Sequence, residues 1–255
     1  MFLVLGHHED LLCQGVHRGL LDRGFKARII TDIFGDAAKS VLRLSATETS
    51  LHLESCDDLR LTIQDICGVF VTGTPQSLQT RFGASNGNYS AEKSAAFLGW
   101  IWSLSCPVIN RYCPEFWFEC PESIEFWRGR LEPFGLESIG SAGAARDVGG
   151  RDAAKSSRGH LVAVIGSKVV WEEDARERFQ HLAGALTRFT ASLGLEYIEF
   201  RLHHSNGRPS VTAIELFPKS AEFCQSSRQE IVDELVALLT SGQNLSTRTA
   251  SDSWF

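Results

Sequence analysis

Leu195-Glu-Tyr-Ile-Glu-Phe-Arg-Leu202 and Val211-Thr-Ala-Ile-Glu-Leu-Phe-Pro218 stand on either side of Asn206-Gly207 near the end of the chain. Asn-Gly between alternating apolar runs is the strongest short hairpin signal, because a type I′ turn needs positive φ at both central residues. The two runs are therefore predicted to be paired antiparallel strands. Glu215 is the carboxylate of the second strand, and Arg201 lies near the end of the first. Upstream, Glu172 to Leu193 reads as a long helix closed by Gly194. Before it, His160–Ile165 and Val169–Trp171 read as another hairpin, turning at Gly166-Ser167.

The first half reads as an α/β unit. Phe2–Leu5 is a short buried strand, and Glu9–Arg23 carries Leu11, Leu12, Val16, Leu20 and Leu21 at helical spacing before Gly24. Lys26–Thr31 follows as a strand, and strand, helix, strand in some thirty residues marks a parallel crossover unit. Alternation at Val41–Leu44 and Leu51–Leu53 is less regular. Cys67–Val71 is the next buried strand, Ala91–Leu104 a strongly apolar helix, and Pro107–Asn110 completes the sheet.

Composition narrows the function classes. With 255 residues and a net charge of −6, and with no Lys/Arg run longer than two, the chain has no electrostatic footprint for nucleic acid or an anionic membrane. The opening Met-Phe-Leu-Val-Leu has no basic flank and is interrupted by His7-His8-Glu9-Asp10, which argues against a signal peptide. The expectation is a folded cytoplasmic protein. Seven cysteines, an odd number scattered through apolar segments, read as reduced thiols; Cys106, Cys113 and Cys120 recur every seven residues but lack zinc-ligand spacing.

The C-terminal hairpin resembles the last catalytic strand pair of the ATP-grasp ligases. In that family the first strand usually ends in an Asp and the second carries Glu-x-Asn, whose oxygens hold the magnesium ions that bridge the ATP phosphates. The resemblance places Glu215 at the retained ligand position and Arg201 and Phe217 at lost ones, since neither side chain can ligate a hard cation. A second likeness is Tyr89-Ser-Ala-Glu92, Leu98-Gly99-Trp100 and Cys106-Pro107-Val108-Ile109-Asn110-Arg111. It is similar to the preliminary domain of the ATP-grasp enzymes that crosslink ribosomally made peptides, where a helix ending Gly-Trp-Leu runs into a strand ending Asn-Arg-Pro. The family Pro is Tyr112 here.

The resemblance implies an N-terminal open α/β sheet domain over 1–119 and a reduced ATP-grasp-like α+β domain with antiparallel hairpins over 120–255. Pro121–Glu132 is its first predicted helix. The family's next lobe supplies a lysine for the phosphates, a hinge for adenine and a lid sheet. In its place stands Gly140-Ser-Ala-Gly-Ala-Ala-Arg-Asp-Val-Gly-Gly150, read with its flanks as a linker over 140–158. The implied role is maturation of a peptide-derived natural product by a protein degenerate in catalysis, which binds a precursor peptide or partner enzyme, as a homo- or hetero-oligomer or alone, and needs no cofactor. The alternative is an active ATP-dependent carboxylate–amine ligase with a remodelled site, which would use Mg-ATP.

Further candidates lie on loops. Gly73 to Asn88 is long, polar and glycine-rich, and Arg81, Asn88, Tyr89, Asn110 and Arg111 are the candidate ligand-binding residues. His7-His8-Glu9-Asp10 follows the first strand, where open α/β sheets place ligand crevices, but reads best as a polar loop with a helix cap. P-loop and His-Glu-x-x-His motifs are absent from the sequence.

Overall fold

In the computed structural model, residues 1–30, 39–44, 49–54, 59–73, 91–118, 124–138, 159–205, 208–217 and 222–241 are described. The chain divides into two compact units, Met1–Phe118 with Val232–Phe255, and Glu119–Ile231.

The first unit is built on a parallel sheet of order β2-β1-β6-β7, formed by β1 (Phe2–Leu5), β2 (Ala27–Ile30), β6 (Gly68–Val71) and β7 (Val108–Ile109). All four residues of β1 and of β6 are buried, as expected of inner parallel strands covered on both faces. Helix α1 (Leu11–Asp22) makes the β1–β2 crossover and buries Leu12, Cys13, Val16 and Leu20. It starts where Asp10 accepts hydrogen bonds from the backbone N–H groups of Leu12 and Cys13, and Gly24, at φ +80°, follows its end. The polar loop with a capped helix expected at His7–Asp10 is thus present. Gly15 and Gly19 face Val232 and Val236 of the last helix, α7 (Gln225–Thr240); a Cβ on Gly15 would lie 2.7 Å from a Val232 methyl.

Between β2 and β6 the chain forms a separate antiparallel meander, β3 (Lys39–Leu44), β4 (Thr49–Glu54) and β5 (Leu59–Thr62). The weak alternation at 41–44 and 51–53 marked two of these strands. Helix α2 (Ala91–Ser103) buries Phe97, Trp100 and Ile101, with the Phe97 and Trp100 rings stacked at 5.2 Å and Trp117 of α3 (Pro114–Phe118) 5.6 Å from Phe97.

The second unit carries a five-stranded sheet of order β10-β9-β11-β12-β8. Its strands are β8 (Glu137–Ser138), β9 (His160–Ile165), β10 (Lys168–Trp171), β11 (Tyr197–Ser205) and β12 (Arg208–Glu215). All neighbours are antiparallel except β12 and β8. Both predicted hairpins are therefore present. The first described helix of this unit is α4 (Ile124–Leu131), extended by a 3₁₀ turn to Phe134 and ended by Gly135 at φ +71°. The long helix expected over 172–193 is broken instead into α5 (Arg176–Phe179), a 3₁₀ turn and α6 (Ala183–Ser192). The break falls at Phe179, at φ −122°, whose ring packs against His160 at 5.4 Å and His204 at 4.8 Å. The linker expected over 140–158 and the turn at Asn206-Gly207 lie outside the described residues.

Candidate functional site

The site is decided by how β11 and β12 pair. From the turn inward the register is regular, with Ser205 opposite Arg208 and Leu202 opposite Val211. It then shifts by one, so that Arg201 faces Ala213 and Glu199 faces Glu215. Thr212 is the extra residue of a β-bulge, and its hydroxyl donates to the Arg201 carbonyl at 3.2 Å. Because side chains alternate with period two, a one-residue shift exchanges faces. Without the bulge Glu215 would stand opposite Ile198, on the face that Ile198, Phe200 and Leu202 bury. With it, Glu215 stands opposite Glu199 on the other face.

That other face is polar at its centre. Tyr197 and Glu199 are buried, and the Tyr197 hydroxyl donates to the Glu199 carboxylate. Ala163 lies opposite Glu199 on the neighbouring strand β9 and, with Ala213, contributes little bulk beside the carboxylates. Arg201 shares the face one position along and forms an ion pair with Glu222. Gly159, at φ +64°, closes on the stem of Arg201; a Cβ there would meet both Arg201 Cγ and the Leu202 carbonyl at 2.9 Å. Phe217 is buried, in a bend just after β12. The opposite face packs on α6 and α4 through Phe200–Phe189 and Phe189–Trp127 edge contacts, each 6.0 Å between ring centres.

Two carboxylates opposite each other in register attract a cation. Among the described residues no group of three or more His, Cys, Asp or Glu side chains is arranged to hold a metal ion, and Arg201 and Phe217 supply no oxygen.

Sequence reasoning identified Glu215 and Arg201 but missed Glu199. Counting back from Asn206-Gly207 without a bulge pairs Glu199 with Ile214, so the carboxylate pair emerges only from the register shift. No sequence signal marked Thr212 as an extra residue.

In the first unit, Asn110 ends β7 in the left-handed region at φ 62° and is buried, its amide donating to the Tyr112 hydroxyl at 3.1 Å. Arg111 turns back onto the end of α2, donating to the carbonyls of Leu104 at 2.9 Å and of Trp102 and Cys106 at 3.4 Å. Those bonds satisfy carbonyls at a helix C-terminus, where cations are stabilised. The His7 and His8 rings lie tilted at 4.4 Å, and burial followed by the charge of His8 lowers the pKa of His7 below 6.5. Arg81, Asn88 and Tyr89 lie outside the described residues, as does most of the Gly73–Asn88 loop.

No protein-family model matches the sequence, and no curated protein matches it at the level of sequence. Solved structures do match. The macrocyclase MdnC of Microcystis aeruginosa, bound with the precursor peptide MdnA, superposes with a TM-score of 0.64 over 94% of this chain and 99% of its own, at 12% identity. The chain has the ATP-grasp fold. A Chryseobacterium gregarium RiPP-associated ATP-grasp ligase, in complex with ADP and a leader and core peptide, gives 0.62 over 94% and 96% at 10% identity. The ATP-grasp ligase PsnB with a minimal precursor gives 0.62 over 93% and 98% at 16%. The ATP-grasp likeness drawn from two stretches of sequence thus holds for the fold of nearly the whole chain. Among the described residues no helix is long and apolar enough to cross a membrane.

Proposed function

We propose that this ATP-grasp-fold chain takes part in maturing a ribosomally made peptide, binding a precursor peptide or a partner enzyme without itself catalysing ligation. In this reading residues 1–119 are a pre-ATP-grasp-like domain and 120–255 a reduced ATP-grasp-like domain, and the protein works in the cytoplasm of a bacterial producer. The observation that carries it is that Arg201, on the same face as Glu215, is ion-paired with Glu222 and that Phe217 is buried, so the two positions that the family resemblance gives to further oxygen ligands hold none. Phosphoryl transfer depends on cations that neutralise the phosphates and on a held nucleotide. The likeness to structures solved with precursor peptides supports the peptide as the retained ligand.

A second reading, an active carboxylate–amine ligase using Mg-ATP, is favoured by the pairing of Glu199 with Glu215. Thermal unfolding with and without Mg-ATP separates the two. A ligand at a hundred times its Kd adds about 2.7 kcal/mol, which for a chain of this size is a rise of roughly 5–10 °C. No rise is expected, and Glu215→Gln should leave peptide binding intact when measured by fluorescence anisotropy with a labelled precursor peptide. A magnesium-dependent rise abolished by Glu199→Gln or Glu215→Gln would replace the first reading with the second.

A further inference from the structure

Two thiols of the first unit, Cys67 and Cys106, have no part in the site described above and lie just before the neighbouring strands β6 and β7. Strands β6 and β7 run parallel with Val69 opposite Val108 and Phe70 opposite Ile109. Cys67 and Cys106 lie just before these paired residues, Cys106 in a bend, and the same register carried two residues toward the strand starts would bring them level with each other. Val69 N–H donates to the Pro107 carbonyl at 2.9 Å, so the bonding between the strands reaches the residue after Cys106, while Cys67 N–H turns to the Met1 carbonyl on the β1 side at 2.8 Å and Cys67 Sγ accepts from the Met1 ammonium at 3.0 Å. Neighbouring strands are about 4.8 Å apart, and a disulfide spans Cα separations of roughly 4.4–6.8 Å. Residues opposite in register project from the same face of a sheet. Both cysteines are free and half-buried. Burial pushes the Cys106 thiol up, Arg111 opposes that, and the nearby Cys67 adds to it.

We propose that Cys67 and Cys106 are a redox pair that closes to a disulfide across β6 and β7. With a low-molecular-weight disulfide such as oxidised glutathione as oxidant, the Cys67 thiolate attacks one of its sulfurs and one glutathione thiolate leaves. Cys106, kept protonated by burial, is the second reactant. Its proton passes to the departing thiolate, its sulfur attacks the Cys67 sulfur, and the second glutathione is released. Two protein thiols are oxidised to one disulfide, and the oxidant gains two electrons and two protons. The new bond closes a loop of about forty residues that contains α2. It lies at the amino ends of the strands, away from Asn110 and the His7–Asp10 loop at their carboxyl ends.

The test is peptide mapping of the intact protein equilibrated in glutathione buffers from fully reduced to fully oxidised, then alkylated. A Cys67–Cys106 linked peptide should appear and increase with the oxidised fraction. Cys67→Ser or Cys106→Ser should abolish it and leave the surviving thiol alkylated or glutathionylated, whereas Cys113→Ser should retain it. Closing the bond should raise the Tm by about 5–15 °C in the wild type and not in the first two variants. Should serine unfold the half-buried position, alanine replaces it, and the wild-type map decides on its own. Absence of the linked peptide in the fully oxidised buffer overturns the proposal. So does linkage of either thiol to Cys13, Cys56, Cys113, Cys120 or Cys224, or a bond between two copies that dilution removes.

Discussion

Deleting Thr212 is the sharpest test of the register that builds the carboxylate face. A deletion inside a strand ordinarily flips every residue beyond it. Here the deleted residue is the unpaired one, so Ala213 opposite Arg201, Ile214 opposite Phe200 and Glu215 opposite Glu199 all survive in a regular ladder. What is lost is the Thr212 hydroxyl bond to the Arg201 carbonyl, a net cost of about 0.5–1.5 kcal/mol. If the far half of β12 flipped instead, Glu215 would enter the face formed by Ile198, Phe200 and Phe189. An uncompensated buried charge costs about 3–5 kcal/mol, and exposing Ile214 adds roughly 1.5–3. Urea unfolding followed by tryptophan fluorescence separates these outcomes, because a change of about 1 kcal/mol moves the midpoint by roughly 0.3–1 M and the larger cost would unfold the unit. Deletion of Ala163, paired on both sides within β9, is the control expected to abolish folding. A Thr212 deletion as damaging as the Ala163 deletion would refute the register argument.

Gly6→Ala should lower the stability of the first unit by about 1–3 kcal/mol, since a Cβ would sit 2.1 Å from Thr72 Oγ1 and 2.4 Å from Cys13 Sγ; the added changes Thr72→Ala and Cys13→Ala should restore part of the urea midpoint. Burial and then the charge of Arg178 lower the pKa of His160 below 6.5. The folded protein therefore binds fewer protons there than the unfolded chain, so this contribution is intact above pH 6.5 and is lost as pH falls through the folded value. His160→Gln should flatten the fall of Tm on acidification below pH 6.5, and an unchanged slope would count against the assignment.

Strands that alternate or are wholly apolar were legible from residue order. Phe2–Leu5, Gly68–Val71 and the two hairpins fall where their patterns place them, because period two and unbroken burial are local properties. The break at Phe179 was not legible. There the Phe179 ring packs against His160 and His204, which are distant in sequence. The same holds for the partners of Arg111, which reads as a candidate ligand-binding residue in the sequence and donates to the carbonyls of Trp102, Leu104 and Cys106 at and after the end of α2. Glu199 illustrates the remaining gap. Its partner depends on one unpaired residue in the opposite strand, and no propensity scale records where a ladder slips.

The contact of Gly15 and Gly19 with Val232 and Val236 has a consequence for synthesis on the ribosome. The first unit takes its closing helix from the far end of the chain, whereas Glu119–Ile231 is contiguous. At roughly 5–20 residues per second, the stretch between Phe118 and Val232 takes about 6–23 s to emerge. During that interval α1 presents two bare glycines to solvent while the later-made unit already has its full sequence. Maturation of the nascent chain thus runs against the usual amino-terminal-first order, and a ribosome stalled before Val232 would release a protein whose second unit is complete and whose first is open.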